Sequence, residues 1–392
     1  MVQPGPSAVG PRQSFHSGRV LVVILAVSLL LAPPLPFFPP PHDAEAISPP
    51  FEANVRVDDS PAEVDSARIA TAAGVLHAAW RDRRNGNWDV YYSRSLDRGT
   101  SWSPSVRVDD TPGADDVWEM DLAVNQSGNE VYVAWTDPRG GDTDLFARAS
   151  NNGGLSWSAG VRVDTAPAGI EALRPAIAVD MAGTVHVLWE DWRNATAPWQ
   201  VFHSRSGTEG ATWSANMQVS AAPATRMATA VALAAMGGGE LHAVWRESGT
   251  GPEAILSANS LDGGASWSLA QVTPSSGTTP VFTPDVTAVT GTIYATWISQ
   301  GQVRIVRSSR SVDGGATWSA PVRADDVPTA FADAFPEDPK VAVVLGNPYI
   351  VWDDIRSTLR DLYVSGSSDG GTTWAAQSPT IYNLFSVFFA DA

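Results

Sequence analysis

The sequence predicts an all-β fold, six blades of four antiparallel strands closed into a propeller. Two repeated registers and the strand pattern between them carry that expectation. The first register is an eight-residue pattern, Ser-x-Asp-x-Gly-x-Ser/Thr-Trp, at Ser95–Trp102, Ser260–Trp267, Ser311–Trp318 and Ser367–Trp374. Ser150–Trp157 and Ser206–Trp213 follow it with Asn152 and Thr208 in the acidic slot. The slot residues Asp97, Asn152, Thr208, Asp262, Asp313 and Asp369 lie 55, 56, 54, 51 and 56 positions apart, a near-constant period. The pattern suits a tight turn between strands, because Gly tolerates positive φ and a short acidic or amide side chain accepts from nearby backbone N–H groups. These six residues are therefore expected to be structural.

The second register is Trp80, Trp135, Trp189, Trp245, Trp297 and Trp352, each at the end of an apolar strand and 55, 54, 56, 52 and 55 apart. Three positions earlier stand His77, Tyr132, His186, His242, Tyr294 and Tyr349. An odd offset sends the two rings to opposite faces of one strand. Neighbouring blades cover both faces, so both rings are expected in the core. The shared slot makes the three histidines packing residues rather than a metal set.

Each unit then reads as four strands. In the third, Pro175–Asp180 runs into a turn at Ala182-Gly183, followed by Thr184–Trp189, then Gln200–Arg205, then a strand opened by Trp213. Alternating β-branched runs broken by dense turn signals give no amphipathic helix. Phe51–Asp59 matches Trp102–Asp110 and reads as a lone fourth strand that closes blade six, leaving no open edge. The tail after Ala375 is the alternative donor, and its apolar stretch Leu384–Ala390 has no assigned cover.

Residues 1–46 stand apart from the propeller, expected to span 47–392. Arg12 and Arg19 precede the apolar run Val20–Ala32, then a proline-rich stretch and Ala44-Glu45-Ala46. This reads as a signal peptide, with a retained anchor as the alternative, and implies work outside the cytoplasm. The chain's 392 residues hold no cysteine, which excludes disulfides and thiolate metal sites. A net charge of −17 argues against nucleic acid and anionic membranes as partners. No loop carries EF-hand spacing, and no cofactor or metal is expected. Asn125-Gln126-Ser127 and Asn194-Ala195-Thr196 have the form of glycosylation sequons.

Six Asp boxes at this spacing resemble the sialidase superfamily of six-bladed propellers, over roughly residues 51–374. Ala67-Arg68-Ile69-Ala70 is similar to that family's opening motif, and Gly74–Arg84 to the strand and arginine that follow. The resemblance implies that Arg68 belongs to an arginine triad clamping a substrate carboxylate, a bidentate role suited to guanidinium. It also implies an acid/base aspartate, for which Asp82 and Asp89 are the nearby carboxylates, and a tyrosine–glutamate nucleophile pair. The sequence departs from the family here. Ala67 and Ala70 replace an aromatic and a proline, and only Asn85-Gly86-Asn87-Trp88 stands where the acid/base loop would be. Tyr349 belongs to the repeated ring and Glu247 to a repeated acidic slot. Arg226, Arg246, Arg304 and Arg307 are the remaining triad candidates.

Asymmetry between blades marks a second candidate region. An Asp-x-Arg pair follows the strand-two Trp at Asp82/Arg84, Asp137/Arg139, Asp191/Arg193 and Asp354/Arg356, but is missing from blades four and five. Propeller topology puts these connections on one rim with the acidic strand ends Asp58/Asp59, Asp109/Asp110 and Asp325/Asp326. One reading makes them structural ion pairs. The other makes them, with Arg174, Trp88, Trp118, Trp192 and Trp199, a rim that binds glycans or a surface partner. Three functions stay open: a monomeric binding propeller with a carbohydrate or cell-surface ligand, an exo-acting sialidase-type hydrolase using Arg68, and a purely structural surface protein.

Overall fold

The computed structural model describes residues 55–111, 115–139, 141–193, 198–273, 279–326, 335–355 and 361–375. The 1–46 leader, Arg356, the Asn194 sequon and the tail after Ala375 lie outside them. Six antiparallel sheets form the blades of a β-propeller, five with four strands and one with three among the described residues. Blade one is typical: Val64–Ala72, Val75–Asp82, Asp89–Ser95 and the short outer strand Val106–Arg107. Helical structure among the described residues is one 3₁₀ turn, Gly237–Gly239.

The inner strands succeed one another around the axis, from Val64–Ala72 through Glu119–Val124, Ala172–Val179, Arg226–Ala235 and Val281–Val289 to Glu337–Val344. Five of the six ladders between inner and second strands break register, as at Asp65/Arg68 and Glu337/Lys340. A non-glycine residue with positive φ sits at each break: Ser66, Arg174, Ala230, Thr283 and Asp338. These are β-bulges near the start of five of the six inner strands, where the extra residue bends the strand.

The Asp boxes are turn staples that also clasp adjacent blades. Ser311 Oγ donates to Asp313 Oδ1 at 2.8 Å and accepts from the Gly315 N–H at 2.9 Å, while Asp313 Oδ1 accepts from the Thr317 N–H at 2.9 Å. These donors hold the Asp97, Asp262 and Asp313 carboxyls down to about 2, and Asp369 lower still. Asn152 and Thr208 make the same closure with Ser156 and Thr212. The box tryptophan reaches the preceding blade: Trp157 meets the Tyr92 ring edge-on at 5.3 Å, and Trp318 Nε1 donates to Ser257 Oγ at 3.1 Å.

The second-strand tryptophans are core, each at most 4 % exposed. Five of the six rings three positions before them are buried as well, and Tyr349, at 38 % exposed, departs from that expectation. Its cross-strand neighbour is Gly366, where the other blades place Arg94, Ala149, Arg205, Asn259 or Arg310. The three histidines are packed and bonded, His77 to Tyr92 Oη at 2.7 Å, His186 to His203 at 3.2 Å and His242 to Asn259 at 2.9 Å.

Burial lowers the pKa of all four of these histidines, His77 to about 4 and His203 to about 3. The unfolded chain therefore takes up protons below about pH 6.5 that the folded chain refuses, and stability falls as pH drops. Replacing His77 by glutamine is expected to flatten the stability-versus-pH curve between pH 6.5 and 4, by up to about 1.4 kcal/mol per pH unit. Urea titrations of both proteins across that range check this, and parallel curves would count against it.

No fourth strand is assigned to blade six among the described residues, but each end of the described chain repeats part of the pattern of a fourth strand. Ala375 N donates to Gly366 O at 3.0 Å, as Ser103 N does to Arg94 O in blade one. At the other end, Arg56 pairs with Asp58 at 2.7 Å as Arg107 pairs with Asp109 at 2.8 Å, and Val57 packs against Ala67, Ala78 and Trp80 of blade one.

Candidate ligand-binding rim

The connections from strand two to three and from strand four to the next blade meet on one rim, where Val117 N donates to Trp88 O and Ala228 N to Trp199 O, each at 2.8 Å. The Asp-x-Arg pairs lie here as internal pins. Asp137 is fully buried and accepts from Trp135 Nε1 at 2.8 Å, Thr111 Oγ1 at 2.8 Å, the Arg139 N–H at 3.0 Å and the Arg139 guanidinium at 2.6 Å. The Arg139 guanidinium stacks on Phe146 at 3.8 Å and reaches Asp110 of the preceding connection at 2.8 Å. Arg84 repeats this with Asp82, Tyr91 and Asp59, and Arg193 with Asp191, Phe202 and Asn216. Asp354, also buried, accepts from the Phe335 N–H at 2.8 Å, and its sequence partner Arg356 lies outside the described residues. Asp89 holds Asn85, Asn87 and Arg107, and burial raises its pKa.

Toward the axis, carboxylates tie several blades to their neighbours. Asp121 accepts from Arg68 Nε at 3.2 Å and from the inner-edge N–H of Ile177 in blade three at 2.9 Å. Asp285 does the same for Lys340 Nζ at 3.0 Å and the Val341 N–H at 2.9 Å. An inner-strand amide without a ladder partner needs such an acceptor. Burial raises the Asp121 pKa, against the charge of Arg68. Glu190, fully buried, is pushed up to about 7 by burial while accepting from Arg174 Nη1 at 2.8 Å and from the Ala230 N–H of blade four.

Arg68 thus stands at a blade joint. The other candidate arginines face carboxylates of their own, Arg226 with Glu247 at 2.6 Å, Arg246 with Glu253 at 2.7 Å and Arg304 with Glu337 at 3.3 Å. Arg307 lies on the third strand of blade five, away from the axis. The axial carboxylates Asp121, Asp285 and Glu190 escaped sequence reading, although a proline after the bulge residue marks three of the inner strands, at Arg174-Pro175, Thr283-Pro284 and Asp338-Pro339.

Trp192 on blade three is the most exposed aromatic side chain of this rim among the described residues. Trp192 is 46 % exposed and lies 6.2 Å, centroid to centroid, from the partly buried Trp199. The pairing of Asp191 with Ala172 and Glu190 with Leu173 sets Trp192 at the mouth end of the strand pair that carries Arg174. Arg174, with 52 % of its side chain exposed, lies between Glu190 and Glu119. On blade one, Trp88 lies under the guanidinium of Arg81 at 5.2 Å, and at the entry to blade two the half-buried Trp118 donates its backbone N–H to Thr136 O at 2.9 Å.

A family model described as BNR repeat-like domain matches residues 129–384. The chain belongs to the BNR-repeat family. No curated protein sequence gives a significant match. Many solved structures share the propeller. A Hadza microbial sialidase aligns at TM-score 0.51 and 16 % identity, over 74 % of this chain and 63 % of its own, so the chain spans under two thirds of that sialidase. A Penicillium chrysogenum α-L-arabinanase complexed with arabinobiose aligns at 0.53 and 16 %, over 78 % and 93 %. An ulvan lyase aligns at 0.55 and 9 %, over 79 % and 81 %. At these identities the likeness establishes the BNR propeller fold and nothing finer.

Proposed function

We propose that this BNR propeller is an exported, monomeric protein that binds carbohydrate at the blade-three side of the rim, around Trp192, Trp199 and Arg174. The observation that carries the reading is the exposed Trp192, packed on Trp199 at the mouth end of the strand pair that also carries the half-exposed Arg174. An aromatic face takes the apolar side of a sugar ring while charged neighbours take its hydroxyls. The neighbours named for sialidase, arabinanase and polysaccharide lyase activity lend the same ligand class by analogy of fold. The Asp-x-Arg residues act here as the scaffold beneath the rim. Export is supported by the leader-like residues 1–46, and closure of blade six by the N-terminal segment by the seat of Val57.

Binding is favoured over sialidase-type hydrolysis because Arg68 is engaged by Asp121, and Asp82 and Asp89 are engaged by Arg84 and Arg107. A glycan array followed by calorimetry with the full chain tests the reading. Trp192→Ala is expected to weaken the best ligand at least tenfold, about 1.4 kcal/mol. A variant that binds as well as the parent would remove the rim from the proposal. A fluorogenic sialoside assayed in parallel is expected to show no turnover, and turnover abolished by Arg68→Ala would restore the hydrolase.

A further inference from the structure

Resting on the carbohydrate reading, we infer that the ligand is a neutral saccharide, recognised through vicinal hydroxyls, and that sugars bearing a carboxylate are rejected. The argument is one of charge balance. An acidic sugar is held by a cation free to face it, most strongly by a guanidinium presenting two parallel N–H groups. Among the described residues, the arginines placed at the mouth above each have a carboxylate against them, as do Arg81 with Asp65 at 2.7 Å and Arg83 with Glu63 at 3.9 Å, and Lys340 has Asp285.

Arg174 is the most exposed of these cations, and it has two carboxylates. Glu190 holds Nη1 at 2.8 Å from a fully buried position, and Glu119 lies 3.6 Å from Nε while accepting the Arg174 backbone N–H at 2.6 Å. A sugar carboxylate reaching Arg174 would meet Glu119, a third of whose side chain is exposed. Drawing Arg174 away would strand Glu190, since a buried carboxylate that loses its cation is strongly unfavourable. The chain's net charge of −17 adds long-range repulsion.

A vicinal diol meets none of these obstacles. Each hydroxyl both donates and accepts, so one can donate to Glu119 while its neighbour accepts from the exposed edge of Arg174. The ring's apolar face is then left for Trp192. Arg174 is rigid enough for this role, because its backbone is fixed in a left-handed bulge conformation (φ 49°) immediately before Pro175.

Matched probes test the inference by calorimetry on the full chain at 20 and 150 mM NaCl: lactose against 3′-sialyllactose, and galactobiose against digalacturonate, with arabinobiose and cellotriose as further neutral sugars. At least one neutral probe is expected to bind. Any acidic counterpart is expected to bind at least tenfold more weakly at 20 mM, with the gap narrowing at 150 mM as the repulsion is screened. Glu119→Gln is expected to narrow the gap at 20 mM from both sides, weakening the neutral probe and admitting the acidic one. Acidic probes that bind as tightly as their neutral partners would overturn the inference and leave carbohydrate binding standing. Silence from every probe would overturn both.

Discussion

Replacing Asp137 by alanine is expected to cost about 3 kcal/mol of stability, because the carboxylate is fully buried and serves several donors at once. Its removal strands the Trp135 indole N–H in the core. It also leaves Arg139, only a fifth exposed, with Asp110 as its remaining carboxylate partner. Asp110 provides the contrast. It pairs with the same guanidinium at 2.8 Å but is about a third exposed, so solvent screens the pair and Asp110→Ala is expected to cost about 1 kcal/mol or less. Urea denaturation of the two variants separates the terms. Equal losses would mean that Asp137 acts as a surface charge and that the Asp-x-Arg repeat is open to a ligand after all.

That contrast bears on how much of the molecule was legible in its sequence. The blades could be read because each carries its own turn chemistry: a Ser, an acidic or amide slot residue and a Gly recur with the Trp they position, and local geometry dictates each. The Asp-x-Arg pins could be read for the same reason, since Asp and Arg lie two residues apart in all four pairs, and the three pairs whose members are both described need no knowledge of the axis to meet.

The site was less legible because its partners are distant in sequence. Arg68 meets Asp121 across 53 positions, and Lys340 meets Asp285 across 55. These distances are about one blade period, so each contact exists only because adjacent inner strands are brought edge to edge. A motif that resembles a substrate clamp in sequence can therefore serve as a blade tie in space. Three bulges are followed by a proline, at Pro175, Pro284 and Pro339, which a central strand could not accommodate but an inner edge can. Tyr349 follows its register in sequence and departs from it in exposure, opposite Gly366 on the adjacent strand.

Gly154→Ala is expected to be among the most damaging single substitutions in the chain, at about 4 kcal/mol. Gly154 has φ of +84°, where a side chain costs about 1–2 kcal/mol by itself. An added Cβ would also overlap the Tyr92 ring of the preceding blade, well inside the 3.0 Å that such contacts keep. Tyr92 cannot step aside cheaply. It is almost fully buried, its Oη donates to Gly153 O at 3.0 Å and engages His77 Nδ1 at 2.7 Å, and Trp157 abuts its ring. Overpacking at such a site adds about 1–3 kcal/mol. Gly74→Ala isolates the backbone share, since its φ is +80° but nothing lies within 4 Å of the added atom. The excess loss in Gly154→Ala over Gly74→Ala, measured by urea denaturation, therefore reports the grip of an Asp box on the neighbouring blade. An excess under about 1 kcal/mol would mean that the box closes its own turn and holds nothing beyond it.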